Sequence, residues 1–381
     1  MDYTLREAKI TDLIDIYKLY KKAYGGTYPD PIFSDINTLE ESISDPKMYI
    51  FVAEVSDLIV GSVLFLFDEE SEIGKASAGV VEPKFRGNNL TQKLIRFGIE
   101  FFETKGKGLS VLYVTTRTVH KAAQVLTQSM GFKQLGIFPN VHKTNEYETH
   151  ALAALYFKDA NAKRYINFEQ HPYVLPLYNL VRENIALPEM KEATIWEKKD
   201  FYGEVPKLEV IEAERFIQKR MKMLKEKEEI SLAFVPFHSP NLLITSAEQN
   251  IEVYAYVNEM DKHCVITGCK IDREVSFTDL FLSVSQTLRD RGIRYIEVIL
   301  RANRLNIIDK IIKAKYLPCA YVPSFQKQED RRYDYVVFSR SFEILDFNNL
   351  ELTGASQSYL DNYIQLWEET FLGSYFKKRS L

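Results

Sequence analysis

Residues 75–105 read KASAGVVEPKFRGNNLTQKLIRFGIEFFETK. The segment divides into a strand, a tight loop and a helix. Ala76–Val81 is small and apolar enough for a buried strand, and Pro83, lacking an N–H for the ladder, ends it. Lys84 to Asn89 form the turn. From Leu90 the apolar residues Leu94, Ile95, Phe97, Gly98, Phe101 and Phe102 recur at helical spacing. A loop rich in Gly and Asn at a helix start exposes free backbone N–H groups at the positive end of the helix dipole, an arrangement suited to a phosphate or diphosphate. Arg86 adds a positive charge on the same side.

Outward from this core, Tyr3–Arg6 reads as a first strand, and Thr11 and Asp12 stand where they can cap a helix through Ile14, Ile16, Leu19 and Tyr20. Leu39–Ile43 predicts a short helix. Tyr49–Val55 and Ile59–Phe67 predict two strands turning at Ser56-Asp57. Val111–Thr115 follows as a strand and His120–Met130 as a helix that Gly131 stops, before strands at Leu135–Phe138 and Thr149–Phe157.

This order, with VVEPKFRGNNL before the helix and Gly131-Phe132 after the next one, resembles the GNAT acetyltransferase superfamily over about 1–157. Val81-Glu82-Pro83, Arg86 and Gly87 fit its cofactor motif; Asn89 and Thr91 depart from it, standing where the family has spaced small residues. The resemblance implies an N-acyltransferase using acetyl-CoA as cosubstrate, with the thioester between two diverging strands. The backbone of Val80 and Val81 would hold the pantetheine arm, and Arg86, Gly87, Asn88, Asn89, Leu90 and Thr91 the diphosphate. His120 takes the place of a family Asn, and Thr127 that of the usual Tyr acid. His120 and Glu82, which ends the cofactor strand, are therefore the catalytic candidates, Glu82 as base. His142, Tyr147 and His150 lie near the acceptor side, and loops 25–35 and 139–147 are expected to read the acceptor.

At one constant shift, Phe132 falls on Tyr316, Pro139 on Pro323, and the strand at 111–114 on Tyr295–Val298; the helix near Thr91 meets Ser276–Asp290, and the closing strand has a counterpart at 334–340. The same shift lays Arg86–Asn89 on Lys270–Arg273, which has no glycine and carries Asp272, so the second copy is expected to have lost cofactor binding. The expected fold class is α/β (α+β): two GNAT-like mixed-sheet domains, each a central twisted sheet flanked by helices, at 1–157 and 231–345. A helical connection at 158–230, including an amphipathic helix over Ile211–Glu229 with Phe216, Ile217, Met221 and Leu224 on its apolar face, and a C-terminal helix within 346–381 complete the plan.

Composition is ordinary for a soluble globular protein. The 381 residues are 46% hydrophobic and 27% charged, with net charge −4, which gives no reason to expect nucleic acid as a partner. The three cysteines, Cys264, Cys269 and Cys319, lack the companions of a disulfide framework or a zinc site, and no metal is expected. No stretch is long and apolar enough for export or a bilayer, so a cytoplasmic protein with no membrane partner is expected. The expected function is acetyl transfer to the primary amine of a small molecule. The alternatives are a non-catalytic GNAT scaffold and transfer to a protein lysine or N-terminus; a homodimer is left open.

Overall fold

In the computed structural model, residues 2–25, 31–143, 147–195, 203–232, 234–272 and 274–373 are described. The first half runs β1 (Thr4–Glu7), α1 (Leu13–Tyr24), α2 (Pro31–Ser34), α3 (Ile36–Ser44), β2 (Met48–Val55), β3 (Leu58–Asp68), β4 (Ile73–Val81), α4 (Leu90–Thr104), β5 (Val111–Arg117), α5 (Lys121–Ser129), β6 (Lys133–Lys143) and β7 (Tyr147–Tyr156). The turn between β2 and β3 places Ser56 and Asp57 at φ 49° and 63°, the left-handed pair that matches the twist of a two-residue hairpin. β1 to β4 pair antiparallel in sequence, β4 and β5 pair parallel across α4, and β7 lies between β5 and β6.

The apolar spacing of α4 works as expected. Leu90, Leu94, Ile95, Gly98 and Phe102 are buried against Phe51, Phe65 and Ala76 on one face of the sheet. Burying each large side chain there contributes about 1.5–3 kcal/mol. The opposite face carries α1 and α3, with Ile16, Leu19, Tyr20 and Leu39 packed on Ile50, Leu64 and Val80. Asp12 stands at the start of α1 but does not cap it; its carboxylate accepts from Arg6 (2.6 Å) and from the Lys9 N–H (2.7 Å), because a guanidinium is the stronger partner.

The second half comprises α6 (Leu175–Ile185), β8 (Leu208–Ile211), α7 (Glu214–Glu226), β9 (Leu242–Ser246), β10 (Ile251–Asn258), β11 (His263–Ile271), α8 (Phe277–Asp290), β12 (Tyr295–Arg301), α9 (Leu305–Lys313), β13 (Leu317–Gln328), β14 (Arg331–Ser341) and α10 (Gly354–Phe371). From β9 to β14 it repeats the element order and pairing of β2 to β7: a parallel pair, β11 with β12, is crossed by α8, and β14 lies between β12 and β13. β5 and β12, and likewise α5 and α9, begin and end at the shift read from the sequence.

Three expectations are corrected. The two expected sheets are one 14-stranded sheet, continuous through β6 and β13, where Gly136 faces Ala320. A Cβ at Gly136 would run into Ala320 and Cys319, so only glycine allows this approach. Within 158–230, β8 forms the edge of the second half's sheet, and α7 begins later than the amphipathic pattern suggests. α7 buries Ile217, Met221 and Leu224 against Leu243 and Tyr254, but Phe216 points to solvent, 56% exposed. Finally, the constant shift fails ahead of β12. Lys270 and Ile271 are the end of β11, and the loop equivalent to 82–89 is the shorter 272–276, of which residue 273 is not described.

The halves are bolted together by buried ions. Arg164 pairs with Asp334, both side chains essentially inaccessible; Asp334 also accepts from the Tyr321 hydroxyl (2.7 Å) and the Ser324 N–H (3.0 Å). Arg332, fully buried, donates to the carbonyls of Ser71 (2.6 Å) and Ser324 (2.9 Å). α6 and α10 pack beneath the junction of β6 and β13. The three cysteines are free and buried, and burial pushes the Cys269 thiol up to about 12.

Candidate active site

β4 and β5 hydrogen-bond in parallel only from Ile73–Ala76 to Val111–Val114. Both strands continue, to Val81 and Arg117, without pairing to each other. β5 remains paired to β7 as far as Arg117 opposite His150, so the divergence comes from β4. Its cause is a bulge: Ser62 of β3 faces Val80 and Leu64 faces Ser77, with the extra residue Ala78 at φ 53°. The Tyr20 hydroxyl donates to the Ala78 carbonyl and holds the bulge from α1. The side chains of Val80 and Val81 are buried in the clusters on opposite faces of the sheet.

The loop after β4 makes a 3-10 turn, Pro83–Phe85, then reaches α4 through Gly87 (φ 82°) and Asn89 (φ 56°, left-handed). No atom lies within 4 Å of a Cβ built on Gly87, so its requirement is conformational rather than steric. Asn88 stabilises the loop by donating to the Phe85 carbonyl (3.1 Å). Asn89 makes no side-chain cap bond, leaving the first-turn N–H groups of α4 to an outside acceptor. The Thr91 methyl packs toward Gly79 of β4. Arg86 is exposed beside this opening, its Nε donating to the Val81 carbonyl (3.2 Å).

Glu82 stands at the end of β4, ion-paired to Lys22 of α1 at 2.6 Å. His120 is the N-cap residue of α5, its side chain 82% exposed and 3.8 Å from Glu351. The two catalytic candidates thus have separate partners and are not brought together. Thr127 is buried, its hydroxyl directed to the Ala123 and Gln124 carbonyls. Of the loops expected to read the acceptor, residues 26–30 and 144–146 lie outside the described residues.

Sequence reasoning missed an ionic cluster at the end of β5. Arg117 grips Glu148 with two hydrogen bonds, 2.6 and 2.5 Å. Burial raises the Tyr24 phenol, and Arg117 and Arg86 oppose that rise, which places Tyr24 in their field. His142 and His150 do converge, their rings 4.5 Å apart, and the second half supplies Asp261 (2.8 Å from His142 Nδ1) and His263. Nothing in the local sequence marks these pairs, since each partner lies on a different strand or turn.

Burial pulls His150 down to about 4, helped by His142, and burial likewise pulls His171 to about 4. Both bind their proton less readily folded than unfolded, where a histidine titrates near 6.5. Stability is therefore complete above about pH 6.5 and lost as pH falls toward 4, on the order of 2 kcal/mol per histidine by pH 5. Urea unfolding at pH 7.5 and pH 5 is expected to show this fall, with His150→Gln and His171→Gln each flattening it; an unchanged slope in both variants would contradict the assignment.

The second half has the same divergence but a different content. β11 pairs with β12 only over His263–Ile266 and Tyr295–Val298, with a bulge at Thr267. Here the chain fills the opening itself: the Ser231 N–H donates to the Cys269 carbonyl (2.8 Å) and the Cys269 N–H to the Ser231 carbonyl (2.9 Å). Cys269 faces Val253 of β10, so with both its backbone groups engaged by Ser231 it points them to the edge that β12 has left. The start of α8 is also closed, the Ser276 hydroxyl accepting from the Asp279 N–H at 3.2 Å.

The candidate site is thus a diverging parallel pair beside a helix start without a side-chain cap, in a mixed α/β fold. Residues 13–132, about a third of the chain, match the model of the acetyltransferase (GNAT) family. No curated protein matches the chain by sequence. Similar solved structures include an N-acetyltransferase from Staphylococcus aureus Mu50, 23% identical, covering 42% of this chain and 100% of its own with TM-score 0.37. A probable acetyltransferase from Staphylococcus epidermidis ATCC 12228 is 17% identical over 41% of this chain and 100% of its own, TM-score 0.37. The ribosomal-protein-S18-alanine N-acetyltransferase from Escherichia coli is 19% identical over 41% of this chain and 94% of its own, TM-score 0.36. No helix among the described residues is long and apolar enough to cross a membrane.

Proposed function

We propose that this protein is an acetyl-CoA-dependent N-acyltransferase acting on the primary amine of a small molecule. One observation carries the reading: among the described residues no segment pairs with the edge of β4 released beyond Ala76, which adjoins a helix start without a side-chain cap, whereas Ser231 pairs with the corresponding edge of β11 and the start of α8 is capped. The second half, a GNAT-like copy in its element order, would accordingly hold no cosubstrate. A structure from Salmonella typhimurium similar to this chain was solved with its cofactor acetyl-CoA.

Starting from the ammonium form, the reaction forms a C–N bond and breaks a C–S bond; of the two protons the nitrogen loses, one leaves through the base to solvent and the other ends on the CoA thiol. In this reading Arg86 and the N–H groups at the start of α4 bind the diphosphate, and the backbone at Val80 and Val81 orients the pantetheine arm and polarises the thioester carbonyl. Glu82 receives the amine proton directly or through water, with Lys22 holding the carboxylate in place. His120, exposed and facing Glu351, is set aside from the proton steps. A small molecule is favoured because Phe237 of the second half packs beside the opening, on Tyr113 and on the cluster that contains Val80.

Acetyl-CoA is expected to raise the melting temperature of the full chain, and Arg86→Glu to abolish that rise. Thiol release with a panel of amines then measures turnover. No shift and no release with any amine or lysine peptide would leave a non-catalytic scaffold as the better reading.

A further inference from the structure

Residues 230–232 and 234–241 form a strap that reaches from one opening to the other. Ser231 anchors one end in the β11–β12 opening. Asn241 anchors the other, its side chain bonded at 2.8 Å to both the carbonyl and the N–H of Val257. Between the anchors the strap crosses to the first half. The Phe234 ring lies 5.3 Å from that of Phe325 and 5.2 Å from that of Tyr335. The Phe237 ring lies 5.7 Å from that of Tyr113, and Phe237 also packs on the cluster containing Tyr20, Ala78 and Val80.

Tyr113 is on β5 just before the divergence, and Ala78 and Val80 are on β4 just after it. Phe237 therefore bridges the opening on the face away from α4. Tyr20 stacks with Tyr24 on the same side, so aromatic rings from α1, β5 and the strap surround this face. Among the described residues the nearby carboxylates have partners: Glu82 has Lys22, Glu148 has Arg117, and of the two whose charge reaches Tyr113, Glu297 has His263 at 3.2 Å and Asp68 accepts from the Ser71 N–H at 2.9 Å. A second ammonium on the acceptor would have to break one of these pairs. A single amine on an apolar or aromatic body needs no such exchange, because ring faces attract both the cation and the body.

We propose, resting on the acyltransferase reading above, that the acceptor is a monoamine carrying an aromatic or apolar body, and that Phe237 of the second half determines this specificity. The test uses the full chain, saturating acetyl-CoA, and three acceptors: 2-phenylethylamine, spermidine and a lysine peptide. The expected result is highest kcat/KM with 2-phenylethylamine. Phe237→Ala lowers it about tenfold or more, chiefly through the KM of the amine, while the acetyl-CoA thermal shift is retained. Phe237→Leu, which keeps apolar volume, recovers part of the loss and guards against a folding defect. Preference for spermidine or the peptide, or a wild-type acceptor profile in both variants, would overturn the proposal while leaving cosubstrate binding standing. Loss of both the thermal shift and all thiol release in the wild-type protein would instead remove the acyltransferase reading, and this proposal with it.

Discussion

Thr91→Glu is expected to abolish productive acetyl-CoA binding without harming the fold. Thr91 sits in the first turn of α4, where the N–H groups have no intrahelical acceptor and Asn89 supplies no side-chain cap. A carboxylate introduced there answers those N–H groups itself, much as Ser276 closes the start of α8. It also sets a negative charge against the diphosphate, and like charges at a binding surface oppose each other by several kcal/mol. Affinity should therefore fall on the order of 100-fold, about 3 kcal/mol. Stability moves the other way. Glutamate is the better helix former, and an acid in the first turn gains about 0.3–1 kcal/mol from the dipole. An unchanged or slightly higher melting temperature combined with loss of the acetyl-CoA shift is thus the signature. A variant that keeps wild-type affinity would show that the start of α4 is not the diphosphate site.

The second large effect concerns stability. Asp334→Ala is expected to destabilise the protein by about 3–5 kcal/mol, because it leaves the Arg164 guanidinium buried without its counter-charge. Tyr321 and the Ser324 N–H lose an acceptor in the same step, so three donors become unsatisfied together. Urea unfolding measures the loss directly. Replacing Arg164 and Asp334 together by apolar residues of similar size should be far milder than the single change, since no lone charge remains. A loss below about 1 kcal/mol in Asp334→Ala would mean that water reaches the pair.

The site was legible in the sequence where its chemistry is backbone chemistry. Pro83 and the Gly-Asn loop mark the end of one element and the start of the next, and the spacing from Leu90 to Phe102 marks the buried face of α4. Glu82 and Arg86 follow because they are covalently adjacent to that turn. The shift-based alignment of the second loop failed because a shortened connection changes the register without disturbing the periodicity on either side. The Arg117–Glu148 pair and the histidines around Asp261 were out of reach, since strand pairing decides which side chains face each other.

The amino-acid order alone determined most strands and helices, the repeated plan and the turn that opens α4, because φ/ψ preferences and apolar periodicity act over a few residues. Only the tertiary structure decided that the two sheets are one, that Ser231 pairs with the edge in the second opening, and that Phe237 packs on Tyr113 beside the first. These contacts join residues far apart in the chain, and neither partner carries a local mark of the other; they exist only once the packed sheets bring the strap across both openings.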